Sequence, residues 1–187
     1  MVILASASPR RRELMKRICD DYKIITADID EESSYYMGPL EATLDIAKRK
    51  GEAVKKDHPN DLIVSADTIV VIDNQIIGKP VDKEDAKRLL KLLSNRKHIV
   101  ITAYCLFYND KFIEHYVESE VLFYELSDKL IDDYIATGSP LDKAGAYGYQ
   151  DNDKFPIVKE IKGSIDNVIG FPVDEIKKDF IEIQKMP

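Results

Sequence analysis

The sequence predicts an α/β fold in which an elongated mixed β-sheet is flanked by helices. Apolar runs of strand length alternate with segments of helical periodicity, which is typical of α/β proteins. Two pairs of strands are separated only by short turns, so hairpins interrupt this alternation and favour a mixed sheet over a regular parallel one. The length of 187 residues suggests a single domain over residues 1–187, arranged as two lobes around a central cleft.

The first third of the chain predicts a strand, a helix, a second strand and a second helix. Residues 2–5 form a short apolar run, and Ser8 followed by Pro9 is a typical helix start. Residues 22–26 predict the next strand. From Pro39 onward, a helix is predicted with one stripe of small and apolar residues, at Leu40, Leu44, Ala47, Gly51 and Val54.

The middle of the chain predicts two hairpins with a helix between them. The predicted elements are strands at 62–66, 69–72 and 75–77, a helix that begins after Asp82, and strands at 99–108 and 112–123. Asp73 and Asn74 favour a two-residue hairpin turn. Asp67 and Thr68 fall between the first two of these strands, so we expect both side chains at a strand end.

The last third of the chain predicts two helices and two short strands. Ser127 is a typical N-cap, and Gly138 is a typical C-terminal stop for the helix that follows Ser127. A glycine-rich stretch at 144–149 precedes strands predicted at 157–161 and 168–169. A helix is expected to close the chain.

The charge of the chain argues against a nucleic-acid polymer as its partner. The formal net charge is -7, whereas binding to DNA or RNA usually needs a basic face. A small anionic ligand needs only a local positive pocket. The first predicted helix offers one, because Glu13 is its only acid and its basic residues are Arg10, Arg11, Arg12, Lys16 and Arg17.

Cysteine usage and hydropathy predict a cytoplasmic protein that does not bind membranes. Cys19 and Cys105 are too few and too far apart for a disulfide framework or a zinc site, so we expect two free thiols. The apolar start of the chain is too short for a signal peptide. There is also no apolar span of about 18 residues, the length that a transmembrane helix requires.

Basic and hydroxyl residues form candidate phosphate sites. Ser6 lies at a predicted strand-to-helix turn, where free backbone N–H groups and the helix dipole favour anions. Arg10 and Arg11 add guanidinium groups, which match phosphate oxygens in a bidentate manner. Lys50 and Lys79 could neutralise further phosphate charge. Taken singly, each of these features is more common on a solvated surface.

Two acidic positions are candidates for metal binding and proton transfer. Asp67 follows an apolar strand, where ligand sites are often built, although a lone Asp there is more often a turn former. Residues 28–32 contain four acids, which repel one another unless they are solvated or gathered around a cation. Mg²⁺ prefers such oxygen ligands. We place Glu31 at the metal and expect the other three to be solvated.

The segment at residues 140–150 is a candidate for binding a base. Its small residues allow the backbone to approach a ligand closely. The amide of Gln150 can both donate and accept hydrogen bonds, so it can read the edge of a base. The alternative interpretation is a tight turn around a packed tyrosine.

Five sequence blocks in a fixed order indicate a family. The blocks are LASASPRR at 4–11, SADT at 65–68, GKP at 78–80, DKAGAYG at 142–148 and NVIGFP at 167–172. Together they resemble the Maf family of nucleotide pyrophosphatases over nearly the whole chain. Five ordered blocks are far more specific than any single motif.

The resemblance implies a fold, a reaction and a set of site residues. The fold would be that of the inosine triphosphate pyrophosphatases, and the reaction would cleave a nucleoside triphosphate between its α- and β-phosphates with Mg²⁺ or Mn²⁺. Asp67 would be the catalytic carboxylate and, with Glu31, a metal ligand. The phosphates would be bound by Ser6, Arg10, Arg11, Lys50 and Lys79. Thr68 and Gln150 would determine specificity, and a homodimer is favoured.

The segment 142–147 together with Gln150 resembles the branch of the family that acts on dTTP and UTP. Tyr149 and Asp151 depart from the family pattern, in which small or aliphatic residues and glycine are usual at these positions. Residues 164–166 also depart from it. Two other functions stay open: a nucleotidyltransferase, and a nucleotide-binding regulatory protein, since the family has been linked to arrest of bacterial septation.

Overall fold

The computed structural model describes residues 1–187 as a mixed seven-stranded β-sheet flanked by six α-helices. The strands are β1 (Val2–Leu4), β2 (Lys23–Ile24), β3 (Leu62–Ile72), β4 (Gln75–Ile77), β5 (Lys97–Tyr108), β6 (Lys111–Phe123) and β7 (Val158–Lys162). The helices are α1 (Pro9–Met15), α2 (Pro39–Lys55), α3 (Lys83–Leu93), α4 (Asp128–Ala136), α5 (Ile165–Ile169) and α6 (Val173–Lys185). Short 3₁₀ segments occur at Glu32–Met37, Ser139–Asp142, Ala144–Ala146 and Tyr149–Asp151.

The sheet combines parallel and antiparallel neighbours. Its order is β2-β1-β3-β5-β6-β7, and β4 pairs with β3 beside this path. β1 is parallel to both β2 and β3, with Ile3 opposite Lys23 and Ile63. The β3–β4 and β6–β7 pairs are antiparallel. The mixed α/β fold predicted from the sequence is therefore confirmed.

The chain divides into two compact units, in agreement with the two lobes expected from the sequence. The first unit comprises Met1–Thr68, Thr102–Val117 and Gly170–Pro187, and the second comprises Ile69–Ile101 and Glu118–Ile169. Each unit has its own apolar core. The strands β3, β5 and β6 contribute residues to both units.

Strand alternation gives the sheet of the first unit two buried faces. The β1 neighbours Ile3 and Leu4 belong to different apolar clusters, because successive side chains of a strand point to opposite faces. Leu4 packs in the cluster that contains Met15 of α1 and Ile176 of α6. Ile3 packs in the cluster that contains Ala47 of α2. Helices α1 and α6 therefore cover one face, and α2 covers the other.

The close packing of α2 against the sheet depends on a glycine. A Cβ atom at Gly51 would lie 2.2 Å from Cε2 of Phe107 and 2.7 Å from Oγ of Ser65. The Ser65 hydroxyl donates a hydrogen bond to the carbonyl oxygen of Ala47, 2.7 Å away. A side chain at position 51 would therefore force α2 away from the sheet. Because Lys50 precedes Gly51, this contact also fixes where Lys50 leaves the helix.

The core of the second unit contains a buried histidine. His98 is 2% exposed, and its Nε2 lies 2.7 Å from the hydroxyl oxygen of Tyr147. The rings of His98, Phe123 and Tyr147 pack edge to face in pairs. Burial lowers the pKa of His98 to about 4, so its imidazole is neutral at pH 7. The contact with Tyr147 anchors the glycine-rich stretch to strand β5.

The expected break between two strands at Asp67 and Thr68 is wrong. Strand β3 runs without interruption from Leu62 to Ile72, and every residue from 62 to 67 is buried. Asp67 and Thr68 therefore lie inside a strand, and their side chains point to opposite faces of the sheet. The helices that cover these two faces supply polar partners for both side chains, which allows the strand to continue through a polar dipeptide.

The strand predicted at residues 168–169 is also wrong, because these residues end helix α5. The hydroxyl of Ser164 accepts a hydrogen bond from the backbone N–H of Asn167, 3.1 Å away. Such a contact is typical of a helix N-cap and overrides the strand preference of two β-branched residues. The strand predicted at 22–26 is present but is shortened to the two residues of β2.

The buried stripe of α2 is shifted from the predicted one. Leu40 and Leu44 are only half-buried. The buried residues of the helix are Ala42, Thr43, Ile46, Ala47, Gly51 and Val54. The C-terminal part of the predicted stripe is confirmed, whereas its N-terminal part is rotated towards Ala42, Thr43 and Ile46.

Both cysteines are free thiols, as predicted, with Cys19 half-buried and Cys105 buried. Burial raises the pKa of the Cys105 thiol, so this group is held in its neutral form. None of the helices has the length and hydropathy that crossing a bilayer requires.

We expect Gly51→Ala to destabilise the protein. Helix propensity alone would favour alanine by about 1 kcal/mol, but overpacking against Phe107 and Ser65 costs roughly 1 to 3 kcal/mol and should dominate. Urea unfolding measures the difference. Gly78→Ala is the matched control, because a Cβ atom there would meet nothing within 4 Å. Equal stability of the two variants would contradict the packing described for α2.

We expect the free energy of unfolding to fall on acidification because of the buried His98. Its pKa is about 4 in the folded protein, below the ordinary value of an imidazole, so at acidic pH the unfolded chain binds a proton that the folded protein does not. The resulting loss begins as the pH drops below the unfolded pKa and is complete below the folded pKa. At pH of about 5 it should amount to roughly 2 kcal/mol relative to neutral pH.

Urea unfolding of wild type and His98→Gln at both pH values tests this prediction. Glutamine can still bond Tyr147 but does not titrate, so the variant should lose less stability than the wild type on acidification. Parallel pH profiles for the two proteins would refute the assignment of this effect to His98.

Candidate active site

In the first unit, one lysine joins two carboxylates from distant parts of the chain. The Nζ atom of Lys50 lies 2.9 Å from Oδ1 of Asp67 and 2.7 Å from Oε1 of Glu31. The Lys50 and Asp67 side chains are 16% and 9% exposed, respectively, so this contact is shielded from bulk water. The structure therefore brings Glu31, Lys50 and Asp67 together, which the sequence places 19 and 17 residues apart.

Strand alternation explains why Asp67 points towards α2. Ile63 belongs to the cluster on the α2 face, and Ser65 bonds the backbone of α2. Asp67 continues this series of alternate residues along β3. Lys50 leaves α2 one residue before the glycine contact and meets Asp67 there. The packing of α2 on β3 thus places the Lys50 ammonium within hydrogen-bond distance of the Asp67 carboxylate.

Glu31 is held by a polar network on the side of α2. Arg49 donates from Nε to Oδ2 of Asp45 at 2.8 Å and from Nη2 to the carbonyl oxygen of Asp30 at 2.9 Å. The same Nη2 contacts Oγ of Ser34, and Ser34 donates to Asp45. These bonds anchor the chain at Asp30, immediately before Glu31, and at Ser34, three residues after it. The other three acids of residues 28–32 are exposed, as predicted.

The guanidinium of Arg11 is buried and bonded to the protein. Its Nη1 donates to the carbonyl oxygen of Ala66 at 2.8 Å and to Oγ of Ser6 at 3.3 Å. Its Nε donates to the carbonyl oxygen of Gly170 at 2.9 Å, and its Nη2 donates to Oγ1 of Thr68 at 2.9 Å. Arginine has five N–H groups, so at most one is left for a ligand.

Burial and the charge of Asp67 have opposite effects on the pKa of Arg11. Burial lowers the pKa of the Arg11 guanidinium, and the negative charge of Asp67 partly compensates for this effect. A buried guanidinium is stabilised only when its donors are satisfied, which the four hydrogen bonds achieve. Arg11 therefore acts as a structural centre beside Asp67, a role that a surface-exposed phosphate ligand would not have.

Thr68 connects Arg11 to two further groups. Its Oγ1 lies 2.9 Å from Oγ1 of Thr102, which is fully buried, and 3.3 Å from the carbonyl oxygen of Gly170. A Cβ atom at Gly170 would lie 3.3 Å from the Thr68 hydroxyl, and Gly170 has a φ of +115°. This close approach in the left-handed region requires glycine. The orientation of Thr68 is thus set from three sides.

The strand-to-helix turn is ordered by its own hydroxyl groups. Oγ of Ser8 accepts a hydrogen bond from the backbone N–H of Arg11, which confirms Ser8 as the predicted N-cap of α1. Oγ of Ser6 accepts one from the backbone N–H of Ser8, 3.3 Å away. Arg10 lies in the first turn of α1 and is half-buried. The structure therefore places Ser6, Arg10 and Arg11 in one short segment.

Lys79 and Gln150 belong to the second unit. Lys79 is exposed in the loop after β4, and the carbonyl oxygen of the preceding Gly78 accepts a hydrogen bond from the backbone N–H of Gly145, 3.0 Å away. Gln150 is exposed within a 3₁₀ turn, and its amide lies against Gly148. The structure thus joins the segments that carry Lys79 and Gln150 through the glycine-rich stretch.

Three residues near these groups are not found by sequence reasoning. Arg49 forms an i,i+4 salt bridge with Asp45 on α2, and this spacing in the sequence could have predicted the pair. Thr102 lies in a uniformly buried strand, and no signal distinguishes it there. The third is Tyr35, whose phenol pKa is raised first by burial and then by the charges of Asp67 and Glu31. The phenol of Tyr35 is therefore within electrostatic range of the two carboxylates.

Asp67 and Glu31 fit a divalent cation that is shared with a ligand. No group of three or more His, Cys, Asp and Glu side chains in the chain is arranged to hold a metal ion alone. Mg²⁺ in nucleotide enzymes is commonly bound by one or two carboxylates together with water and phosphate oxygens. The two carboxylates that meet at Lys50 provide that number of protein ligands.

Comparison with known proteins identifies the family. The profile of the family described as Maf-like protein matches residues 1–182. This chain belongs to the Maf family. It is 44% identical over 178 residues to a dTTP/UTP pyrophosphatase of Thermococcus onnurineus, with 95% of each chain covered. It is 41% identical over 186 residues to a dTTP/UTP pyrophosphatase of Pyrococcus horikoshii, which covers 100% of this chain and 96% of that one.

Solved structures support the fold of this Maf family member. A Ham1 protein of Coxiella burnetii matches with a TM-score of 0.54 at 14% identity, covering 97% of this chain and 98% of that one. A Ham1 protein of Staphylococcus aureus matches with a TM-score of 0.52 at 16% identity, covering 98% and 99%. The expected fold, which is like that of the inosine triphosphate pyrophosphatases, is thereby confirmed.

We expect Arg11→Lys to destabilise the protein as well as to impair any reaction at Asp67. An ammonium group cannot reproduce four hydrogen bonds in different directions, so the free energy of unfolding should fall by roughly 2 to 4 kcal/mol. Urea unfolding checks this value. Arg88→Lys, on the exposed face of α3, serves as the control and should change stability by no more than about 0.5 kcal/mol. An equally small effect of Arg11→Lys would contradict the claim that the hydrogen bonds of Arg11 stabilise the fold.

Proposed function

We propose that this Maf family member hydrolyses nucleoside triphosphates to the nucleoside monophosphate and pyrophosphate, with dTTP and UTP as its preferred substrates. The observation that carries the proposal is the meeting of Asp67 and Glu31 at the Lys50 ammonium. The names of its relatives, dTTP/UTP pyrophosphatase, support the same reaction. Two carboxylates beside basic groups are what a metal-bound triphosphate requires.

The charges of the first unit suit a polyphosphate. Ser6 and Arg10 stand at the turn before α1 and in its first helical turn, where backbone N–H groups favour anions. Lys50 supplies an ammonium group beside the carboxylates, and Lys79 is the proposed phosphate ligand of the second unit. Arg11 contributes mainly through its charge and by orienting Ser6.

Asp67 and Glu31 would hold Mg²⁺ or Mn²⁺ together with phosphate oxygens. When bound, such a cation neutralises phosphate charge and makes the phosphorus atom more electrophilic. Lys50 is a mobile cation in comparison, because its ammonium lies at the end of a flexible chain. It can therefore move from the carboxylates to a phosphate oxygen when substrate binds.

Asp67 is the proposed catalytic carboxylate. It orients or deprotonates a water molecule that attacks the α-phosphorus, the bond from this phosphorus to the α–β bridging oxygen breaks, and pyrophosphate leaves with that oxygen. General-base assistance of this kind typically contributes about 10²- to 10⁴-fold in rate. Asp67 is 7% exposed and is fixed by Lys50, so its orientation is set before substrate arrives.

Thr68 and Gln150 are the proposed specificity residues. The Gln150 amide presents a donor and an acceptor, which matches the paired oxygen and N–H groups on the edge of thymine and uracil. The whole chain, residues 1–187, is proposed to act as one catalytic domain. The family resemblance also favours a homodimer, and the two free thiols favour a cytoplasmic location.

A panel of nucleoside triphosphates tests the function. Purified protein with Mg²⁺ or Mn²⁺ should release pyrophosphate from dTTP and UTP faster than from CTP or 7-methyl-GTP. Asp67→Asn should fold normally, since the amide oxygen can still accept from Lys50, yet lose at least about 10²-fold in kcat. Asp20→Asn, an exposed acid of the same unit, should keep full activity.

Two other outcomes of the triphosphate panel would each indicate a function other than hydrolysis. If the nucleoside product is a conjugate with an added sugar phosphate and not a free monophosphate, the protein is a nucleotidyltransferase. If a nucleotide binds tightly but no triphosphate of the panel releases pyrophosphate, the protein is a nucleotide-binding regulator.

A further inference from the structure

The chain next to Gln150 is tethered by a carboxylate. Asp151 accepts two hydrogen bonds on a single oxygen, Oδ2, from the hydroxyl of Tyr134 at 2.8 Å and from the hydroxyl of Ser139 at 2.7 Å. All these residues belong to the second unit. A charged acceptor makes such bonds stronger than bonds between neutral groups. Asp151 therefore ties the turn that carries Gln150 to α4 and to the segment after it.

Both hydroxyl donors are themselves oriented by other groups. The Tyr134 hydroxyl accepts from the backbone N–H of Gly148 at 3.1 Å, and the Tyr134 side chain is fully buried. Oγ of Ser139 accepts from Nζ of Lys143 at 2.9 Å, and the same Nζ bonds the carbonyl oxygen of Ser139. Each hydroxyl thus accepts one hydrogen bond and donates one to Asp151. In such a chain of hydrogen bonds, each bond strengthens the next.

On its other side, the Gln150 amide lies against Gly148. A Cβ atom at Gly148 would lie 2.4 Å from Nε2 of Gln150 and 2.7 Å from Cε of Lys143. The Gln150 amide thus occupies the space that any side chain at position 148 would take. The backbone N–H of Asp151 bonds the carbonyl oxygen of Gly148 at 3.0 Å and closes the turn around Gln150.

The tether depends on the carboxylate of Asp151, which the hydroxyls of Tyr134 and Ser139 share as an acceptor. A side chain without an acceptor oxygen at position 151 would leave both hydroxyls without it. The adjacent Asn152 adds a second anchor, because its Oδ1 accepts from the backbone N–H groups of Ile157 and Val158 at 3.0 and 2.7 Å. The C-terminal side of Gln150 is therefore held by side chains.

We propose that Asp151 is a positioning residue that fixes the Gln150 amide for recognition of a pyrimidine base, and thereby determines base selectivity. The proposal rests on the proposed function, in which Gln150 reads the base. A polar group discriminates between ligands only if it cannot turn to suit each of them. Fixing the group before binding also lowers the ordering cost of binding the correct base.

Three variants separate positioning from a general effect of charge. Asp151→Ala removes the acceptor, whereas Asp151→Asn keeps one oxygen that both hydroxyls can use. Asp153→Ala is the control, since Asp153 is exposed two residues further on and has the same charge. Thermal unfolding checks that each variant is folded. If Asp151→Ala does not fold, Ser139→Ala removes one of the two donors and takes its place.

The first measurement is backbone amide hydrogen exchange, which needs no substrate. Exchange in residues 147–152 should be at least about tenfold faster in Asp151→Ala than in wild type. In the wild type, local opening of this segment must break the hydrogen bonds to Asp151, and in the variant these bonds are absent. The Asp151→Asn and Asp153→Ala proteins should exchange at nearly the wild-type rate. Unchanged exchange in Asp151→Ala would overturn the proposal, whatever the activity of the protein is.

The second measurement is the ratio of kcat/KM for UTP to kcat/KM for CTP. Asp151→Ala should lower this ratio by about tenfold, mostly through a higher KM for UTP, and Asp151→Asn should restore most of it. Faster exchange with an unchanged ratio would overturn the role in selectivity. Wild-type protein that cleaves no triphosphate would refute the proposed function itself, while the exchange measurement would still decide whether Asp151 holds the turn.

Discussion

The burial of one charged group, the guanidinium of Arg11, constrains the structure around Asp67. A charge removed from water is costly unless its donors are satisfied, and Arg11 meets this requirement with two backbone carbonyls and two hydroxyls. Two of these partners, Ala66 and Thr68, are the direct neighbours of Asp67 along β3. The position of Asp67 is therefore fixed from both sides by a cation that its own charge helps to stabilise.

Much of the fold could be predicted because its local signals have unambiguous physical causes. The hairpin turn at Asp73 and Asn74 has a positive φ at both residues, as a two-residue turn requires. Ser127 caps α4, and Gly138 adopts the left-handed conformation expected after a helix. These signals act within a few residues. The continuity of β3 through Asp67 depends on partners from α1 and α2, which a local pattern does not contain.

In the candidate site, too, local sequence patterns do not reveal which distant residues become partners. Lys50 was expected near phosphate groups because it flanks a helical stripe, but its pairing with Glu31 and Asp67 results from the packing of α2 on the sheet. Arg11 was expected at the phosphates, and composition rules place arginines at the surface. Its burial depends on acceptors from residues 66, 68 and 170, whose proximity only the tertiary structure reveals.

The two units use the same device for different proposed tasks. In the first unit, the residues before and after Asp67 are bonded to a buried cation, so a carboxylate is held where phosphate chemistry would occur. In the second unit, Gly148 and Asp151 enclose Gln150, so an amide is held where a base would be read. In both cases the neighbours of the functional side chain in the sequence make structural hydrogen bonds, and these bonds set the position from which that side chain can act. A substitution beside the functional residue can therefore alter turnover or selectivity without touching the substrate, and the two effects should be separable because each network lies within its own unit.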